Sequence, residues 1–186
     1  MKNNLIFIGM PAVGKSTVGI VVAKRLGMSF IDVDLLIQEE EHKLLREIIA
    51  ESGQDGFLKI ENRVNASVRA DNSVISPGGS VVYCDEAMRH YKKIGTVVYL
   101  KASYQTIKRR IRNPKKRGVV LREGQSLKDL YYERAPLFEK YADITVPVDG
   151  GRIEDTIKKV LLAVKKYKKR GDSRKKLDKQ PGRTLK

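Results

Sequence analysis

Short apolar runs alternate with longer amphipathic segments along most of the chain. Short apolar runs are typical of buried strands, and apolar positions three or four residues apart indicate helices. The predicted strands are 5–8, 30–34, 74–76, 96–100 and 144–148. The predicted helices are 16–26, 44–52, 55–70, 85–91, 104–112, 126–141 with an interruption at Pro136, and 153–168. This alternation predicts an α/β protein with a parallel sheet covered by helices on both faces.

The first predicted strand runs directly into residues 9–17, which read Gly-Met-Pro-Ala-Val-Gly-Lys-Ser-Thr. The spacing Gly-x-x-x-x-Gly-Lys-Ser between a strand and a helix is the pattern of a phosphate-binding loop, or P-loop. Gly9 and Gly14 let backbone N–H groups turn toward phosphate oxygens, and the helix N-terminus that follows attracts anions. Lys15 supplies a charge for the β- and γ-phosphates, and the Ser16 hydroxyl is the expected Mg²⁺ ligand. The motif predicts a protein that binds a nucleoside triphosphate and hydrolyses it or transfers its γ-phosphate.

Two carboxylates, Asp32 and Asp34, come at the end of the second predicted strand. Side chains two apart on a strand share a face, and ligands of open parallel sheets bind beyond the carboxyl ends of the strands. We therefore expect both carboxylates in the crevice of the P-loop, one near Mg²⁺ and one near an accepting hydroxyl. The alternative is that Asp34 caps a helix and Asp32 is a solvated loop residue.

Three further segments have residues that could bind a ligand, and each could instead have an ordinary structural role. Pro77-Gly78-Gly79-Ser80 follows the third predicted strand, where glycines permit close approach of backbone to a ligand, although it could be an ordinary turn. The basic loop 113–124 could close over a nucleotide or be a solvated charged loop. Arg134 stands near Pro136 and, taken alone, is as often a surface ion-pair residue as a functional one.

Length and composition indicate one domain whose basic charge is concentrated at one end. The chain has 186 residues, a single cysteine at Cys84 and no apolar stretch long enough to span a bilayer, so we expect a cytoplasmic protein without disulfides, signal peptide or membrane segment. Between residues 165 and 186, 11 Lys or Arg and two Asp contribute +9 of the net charge of +16. We predict a domain spanning 1–168 and a disordered basic tail at 169–186. Nucleic-acid binding by this tail is an alternative, but the tail has no aromatic stacking platform.

Taken together, these motifs resemble the shikimate kinases. The resemblance covers nearly all of residues 1–165 and rests on the P-loop, Phe30-x-Asp32-x-Asp34, Gly-Gly-Ser-Val at 78–81, the basic segment 113–124 and Glu-Arg-x-Pro-Leu-Phe at 133–138. It implies a P-loop NTPase fold with three α/β/α layers, a five-stranded parallel sheet, substrate-binding helices at 34–70 and a lid at 113–124. It also implies a monomer that uses ATP and Mg²⁺ to phosphorylate a ring hydroxyl of shikimate, a step of aromatic amino acid biosynthesis.

The resemblance assigns a role to each site residue. Lys15, Asp34 and Arg117 are the expected catalytic residues, and Ser16 and Asp32 are the expected Mg²⁺ ligands. Asp34, Gly78, Gly79 and Arg134 are expected to bind the acceptor, with Arg134 on its carboxylate. The expected nucleotide-binding residues are Gly9, Ala12, Val13, Gly14, Lys15, Ser16, Thr17, Arg110 and Arg117.

The acceptor half of the motif set departs from the family pattern. The family's second carboxylate-binding arginine lies in Phe-Arg-x-x-Glu, and here that segment reads Phe57-Leu58-Lys59-Ile60-Glu61. Lys59 is rotated about 100° from Leu58 on a helix, and Arg63 could reach in from the next turn. Pro77 replaces the first glycine of a family triplet, and the lid reads Arg117-Gly118-Val119-Val120 instead of Arg-Pro-Leu-Leu. These departures leave a second hypothesis open, in which the same chemistry acts on another polyol or sugar acid.

Overall fold

The structure is a computed structural model that describes residues 3–111, 119, 121–122 and 124–177, with side chains described as far as residue 170. Arg117 and most of the predicted lid, together with the end of the basic tail, lie outside the described residues. Among the described residues, no helix has both the length and the apolar character needed to cross a bilayer.

A five-stranded parallel sheet forms the centre of the described chain, as the sequence predicted. Its strands lie side by side in the order β2-β3-β1-β4-β5 and all run parallel. The strands are β1 (Asn4–Ile8), β2 (Ser29–Asp32), β3 (Ser73–Ser76), β4 (Gly95–Lys101) and β5 (Ile144–Pro147). Every residue of β1 and β3 is buried, because helices cover the central strands on both faces.

Helices connect the strands, and a short 3₁₀ turn (Val81–Tyr83) follows β3. Within the described residues the helices are α1 (Lys15–Leu26), α2 (Val33–Glu41), α3 (Leu45–Ser67), α4 (Asp85–Ile94), α5 (Tyr104–Arg110), α6 (Leu127–Tyr141) and α7 (Ile153–Leu177). The P-loop joins β1 to α1, next to the carboxyl ends of β3 and β4. The order of strands therefore brings the phosphate loop, the end of β2 and the 77–80 turn to one edge of the sheet.

The second strand ends two residues earlier than predicted. Val33 begins α2, and the side chain of Asp32 caps this helix by accepting a hydrogen bond from the backbone N–H of Asp34 at 3.1 Å. Asp32 and Asp34 therefore do not share a strand face as predicted, since Asp34 lies in the first turn of a helix. An aspartate can end a strand and cap the next helix at once, and short local patterns do not separate these roles.

Two helices are longer or more continuous than predicted. Pro136 lies inside α6, which is not interrupted there, and the buried side chains of Leu130, Arg134 and Phe138 hold the helix on both sides of it. The last helix was predicted to end near residue 168, and it extends to Leu177. Lys and Arg are good helix formers, and their lack of apolar character misled the prediction. The predicted break near residue 53 corresponds to a kink in α3, where Gly53 has φ 68°.

Candidate functional site

The P-loop has a backbone that requires glycine at its two ends. Gly9 has φ 148° and Gly14 has φ 108°, and both values lie in the region that side chains disfavour. A Cβ at Gly9 would lie 2.8 Å from the carbonyl oxygen of Leu100, so β4 passes too close for any side chain. Lys15 lies across the loop, and its Nζ donates to the Gly9 carbonyl at 3.1 Å. The loop thus presents backbone and one ammonium group to the same small space.

The loop opens onto an uncapped helix N-terminus. Gly14 is the N-cap of α1, no side chain hydrogen-bonds to this cap, and the first turn contains no acidic residue. Arg110 Nη1 donates to the Val13 carbonyl at 2.8 Å and so fixes the loop from α5. An uncapped N-terminus with cations around it is suited to polyphosphate. Of the other predicted nucleotide-binding residues, Ala12, Val13 and Thr17 lie in the same loop and the first turn of α1, and Arg117 lies outside the described residues. Ala12 has the unusual φ of 59°.

A hydroxyl and a carboxylate suited to Mg²⁺ meet at the start of α1. Ser16 Oγ donates to Asp32 Oδ2 at 2.8 Å, and Ser76 Oγ lies 3.4 Å from Ser16 Oγ. Within the described residues, no group of three or more His, Cys, Asp or Glu side chains is arranged to hold a metal ion. Mg²⁺ commonly takes only one or two protein oxygens and completes its shell with phosphates and water. The pair Ser16–Asp32 therefore fits a nucleotide-bound Mg²⁺, and it does not fit a metal held by protein alone.

A cavity of about 310 Å³ adjoins the P-loop at the edge of the sheet. This volume suits a small metabolite rather than a macromolecule. Residues from the P-loop, α2, α3 and the 77–80 turn line it, and they include Lys15, Ser16, Asp34, Phe57, Glu61, Gly78, Gly79 and Ser80. Three of the four predicted acceptor-binding residues, Asp34, Gly78 and Gly79, are therefore in one cavity with the phosphate loop.

Burial shifts the pKa values of the charged groups in this cavity. It raises the pKa of Asp34 to about 6, against the opposing effect of the Lys15 ammonium, and the Asp32 carboxylate adds to the rise. Burial lowers the pKa of Lys15, while the charge of Asp34 acts in the other direction. A carboxylate with a pKa of about 6 is ionised at neutral pH but retains enough basicity to take a proton from a hydroxyl. Asp34 thus has the chemistry of a general base next to the phosphate loop.

The carboxyl group of Glu61 is buried in the same cavity. Its side chain is 0 % exposed, and neither oxygen makes a hydrogen bond of ordinary geometry with any described residue. Burial raises the pKa of Glu61 to about 7, although the neighbouring Ser80 favours the ionised form. A Cβ at Gly78 would collide with Glu61 Oε1 and lie 3.1 Å from Asp34 Oδ1, so this glycine is what lets both carboxyl groups approach the turn.

Arg134 is buried deep beside the cavity. It is 2 % exposed and does not line the 310 Å³ cavity itself. Its positive charge nevertheless acts to lower the pKa values of both Lys15 and Glu61. Its Nε donates to the Tyr83 hydroxyl at 3.3 Å, and its guanidinium carbon lies 5.1 Å from the centre of the Tyr83 ring. Among the described residues, no carboxylate lies within ion-pair distance of this guanidinium. It is therefore not a surface ion-pair residue.

The two possible substitutes for the missing arginine, Lys59 and Arg63, lie outside the cavity. Leu58 and Lys59 line a surface groove with Tyr83, whereas Phe57 and Glu61 face the cavity from another side of α3. Arg63 forms ion pairs with Glu40 and Glu41 on α2 and does not reach in. Among the described residues, Arg134 is therefore the one buried arginine, and it lies beside the cavity.

Comparisons with known proteins agree with this geometry. The family model described as "Shikimate kinase" matches residues 11–165. The chain belongs to the shikimate kinase family. A shikimate kinase of Chlorobium chlorochromatii is 34 % identical over 176 residues, covering 88 % of this chain and 92 % of that protein. A shikimate kinase of Actinobacillus succinogenes is 37 % identical over 152 residues, covering 80 % and 87 %.

A solved structure shows the same fold. The shikimate kinase of Acinetobacter baumannii in complex with shikimate superposes with a TM-score of 0.78 at 28 % identity, covering 87 % of this chain and 92 % of that one. As a member of the shikimate kinase family, the chain is a phosphotransferase that uses ATP and Mg²⁺ and has a hydroxyl group as acceptor. Sequence reasoning missed Tyr83 and Ser76, because neither lies in a chemical motif and their contacts with Arg134 and Ser16 join distant parts of the chain.

Proposed function

We propose that this shikimate kinase family member transfers the γ-phosphoryl group of ATP to a ring hydroxyl of shikimate, giving shikimate 3-phosphate and ADP. The observation that carries the proposal is the position of Asp34, which lies in one cavity with Lys15 and Gly78 at the mouth of the P-loop. A hydroxyl bound against Asp34 would adjoin the end of a triphosphate held by the loop. The Acinetobacter baumannii relative, whose structure contains shikimate, supports this choice of acceptor.

The proposed roles follow from charge and reach. Lys15 and the backbone of the P-loop would hold the phosphates, and Mg²⁺ held by Ser16 and Asp32 would supply positive charge to the phosphate oxygens. Asp34 would accept a hydrogen bond from the hydroxyl and take its proton as the oxygen bonds to the γ-phosphorus. The bond from phosphorus to the bridging oxygen breaks, and ADP leaves with that electron pair. Arg134 would bind the carboxylate of the acceptor.

The proposal also includes a role for Arg117, the substrate-binding helices and the state of the protein. Arg117 would neutralise charge on the transferred phosphoryl group from a lid at 113–124, and α2 and α3 would form the substrate-binding part of a single domain. A monomeric state in the cytoplasm also belongs to the proposal. The absence of a membrane-spanning helix among the described residues is compatible with it.

The exchange of Asp34 for asparagine tests the proposed general base. Asp34→Asn removes the negative charge and basicity while keeping the shape, so we expect ATP affinity to change less than about threefold and turnover to fall by at least about a hundredfold. Glu39→Gln, an exposed carboxylate on the same helix, is the matched control and should leave both unchanged. Turnover within tenfold of the wild type in Asp34→Asn would remove Asp34 from the mechanism.

A second acceptor, another polyol or sugar acid, is favoured by one specific observation. No residue that the structure describes forms a hydrogen bond of ordinary geometry with the buried Glu61 carboxyl group. Leu58, which stands where the family pattern has an arginine, lines the surface groove. A charge-assisted contact is worth about 1.5–3 kcal/mol, or roughly ten- to a hundredfold in affinity. A fall of tenfold or more in the KM for shikimate in Leu58→Arg would show that this site has drifted from shikimate. A change below threefold favours shikimate bound by one arginine.

A further inference from the structure

The buried guanidinium of Arg134 needs something to fix its direction. An arginine side chain has many rotamers, and a carboxylate is recognised well only when the guanidinium edge faces it. Among the described residues, one group accepts a hydrogen bond from Arg134. This acceptor is the Tyr83 hydroxyl, which lies 3.3 Å from Arg134 Nε. The Tyr83 ring also lies against the guanidinium, 5.1 Å from its carbon. Tyr83 thus contacts the Nε–H group and one face of the guanidinium. The N–H groups of the two terminal nitrogens stay available to hydrogen-bond a ligand.

Tyr83 is itself held in a fixed direction. Its hydroxyl donates to Glu133 Oε1 at 2.7 Å, and Glu133 Oε2 accepts from Gln125 Nε2 at 2.7 Å. Arg122 lies 3.5 Å from the same carboxylate. A hydroxyl has a single proton and a carboxylate only accepts, so the Tyr83 proton belongs to Glu133. The Tyr83 oxygen can therefore only accept, and the donor that faces it is Arg134.

The arrangement keeps the charge of Arg134 available. Glu133 is the next residue to Arg134 on α6, yet it is engaged with Tyr83, Gln125 and Arg122, and its carboxylate makes no ion pair with Arg134. Tyr83 stands between the two as a neutral group. A direct pair would neutralise the cation before a ligand arrived, whereas the hydroxyl orients it without neutralising it.

We propose that Tyr83, fixed by Glu133, is a positioning residue that orients Arg134 to bind the carboxylate of the acceptor. Because Arg134 is the one buried arginine of the described site, Tyr83 thereby determines acceptor specificity. The proposal rests on the proposed function. Preorganising one guanidinium in this way offsets part of the affinity lost with the second arginine, because the ligand need not order the side chain on binding.

Tyr83→Phe tests the proposal, because it removes the hydroxyl and keeps the ring over the guanidinium. We expect the KM for shikimate to rise about three- to tenfold, with the KM for ATP and kcat within twofold of the wild type. The control is Tyr132→Phe, a tyrosine on α6 that is 60 % exposed and should change none of these values. An unchanged shikimate KM in Tyr83→Phe overturns the proposal, and so does an equal rise in the KM for ATP, which would indicate general damage to the fold.

A second readout separates this proposal from the proposed function. In the full chain without ligand, the Nε–Hε signal of Arg134 in a ¹⁵N NMR spectrum should shift in Tyr83→Phe and exchange faster with solvent, and it should not change in Tyr132→Phe. A wild-type enzyme without shikimate-dependent turnover would refute the proposed function. An Nε–Hε signal unaltered by Tyr83→Phe would refute the positioning role, whatever the acceptor.

Discussion

Replacing Glu61 by glutamine should change how the stability of this protein depends on pH. Burial raises the pKa of the Glu61 carboxyl group from the ordinary 4.5 to about 7. Between these values the folded state holds a proton that the unfolded state has released, so the free energy of unfolding falls as pH rises. The contribution of Glu61 is fully present below pH 4.5 and is lost as pH passes about 7. At 1.36 kcal/mol per pH unit, the whole loss is about 3 kcal/mol, and most of it falls between pH 5 and pH 8.

Urea unfolding followed by circular dichroism at pH 5, 6, 7 and 8, without ligand, measures this contribution. Glu61→Gln has nearly the same shape and stays neutral. Over this pH range the wild type should therefore lose about 2–3 kcal/mol of unfolding free energy relative to the variant. Glu39→Gln, on the exposed side of α2, should give a constant difference. Parallel stability curves for wild type and Glu61→Gln would refute the assignment of an unpartnered carboxyl group to this cavity.

Three further predictions follow from the same site. Because the pKa of Asp34 in the protein without ligand is about 6, kcat/KM for the acceptor should fall tenfold per pH unit below that value, and a profile of kcat/KM flat down to pH 5 would exclude a role for its ionised form. Gly78→Ala should destabilise the fold by about 1–3 kcal/mol and reduce turnover at least about tenfold, since its Cβ would collide with Glu61, and wild-type turnover and melting temperature would contradict this close approach. Ser16→Ala should raise the Mg²⁺ concentration for half-maximal activity about tenfold or more, and an unchanged Mg²⁺ titration would remove Ser16 from the metal site.

The parts of the fold that depend on local chemistry were predictable. The P-loop was recognisable because Gly9 and Gly14 adopt backbone angles that demand glycine, so spacing alone indicates the geometry. The positions of the strands were predictable from short apolar runs, because strands covered on both faces consist mostly of buried apolar residues. Asp32 and Asp34 lie next to the loop as predicted, although they do not share a strand face, since Asp32 caps the helix in which Asp34 lies.

The parts that depend on contacts across the chain were not predictable. Tyr83 meets Arg134 over a separation of 51 residues, and no spacing rule indicates such a contact. From the sequence, Arg63 was a possible substitute for the missing arginine. Its ion pairs with Glu40 and Glu41 on another helix hold it away from the cavity. Pro136 lies within a continuous helix because packing of α6 against the core outweighs a local preference.

The central claim is phosphoryl transfer to shikimate, and the most direct test is the rate at which the full chain forms ADP from Mg-ATP with and without shikimate. The phosphorylated product would be identified by ³¹P NMR. We expect ADP formation that depends on shikimate, saturates at submillimolar shikimate and yields one phosphomonoester per ADP. A slow ATP hydrolysis that is indifferent to shikimate, with inorganic phosphate as the sole new phosphorus signal, would contradict it.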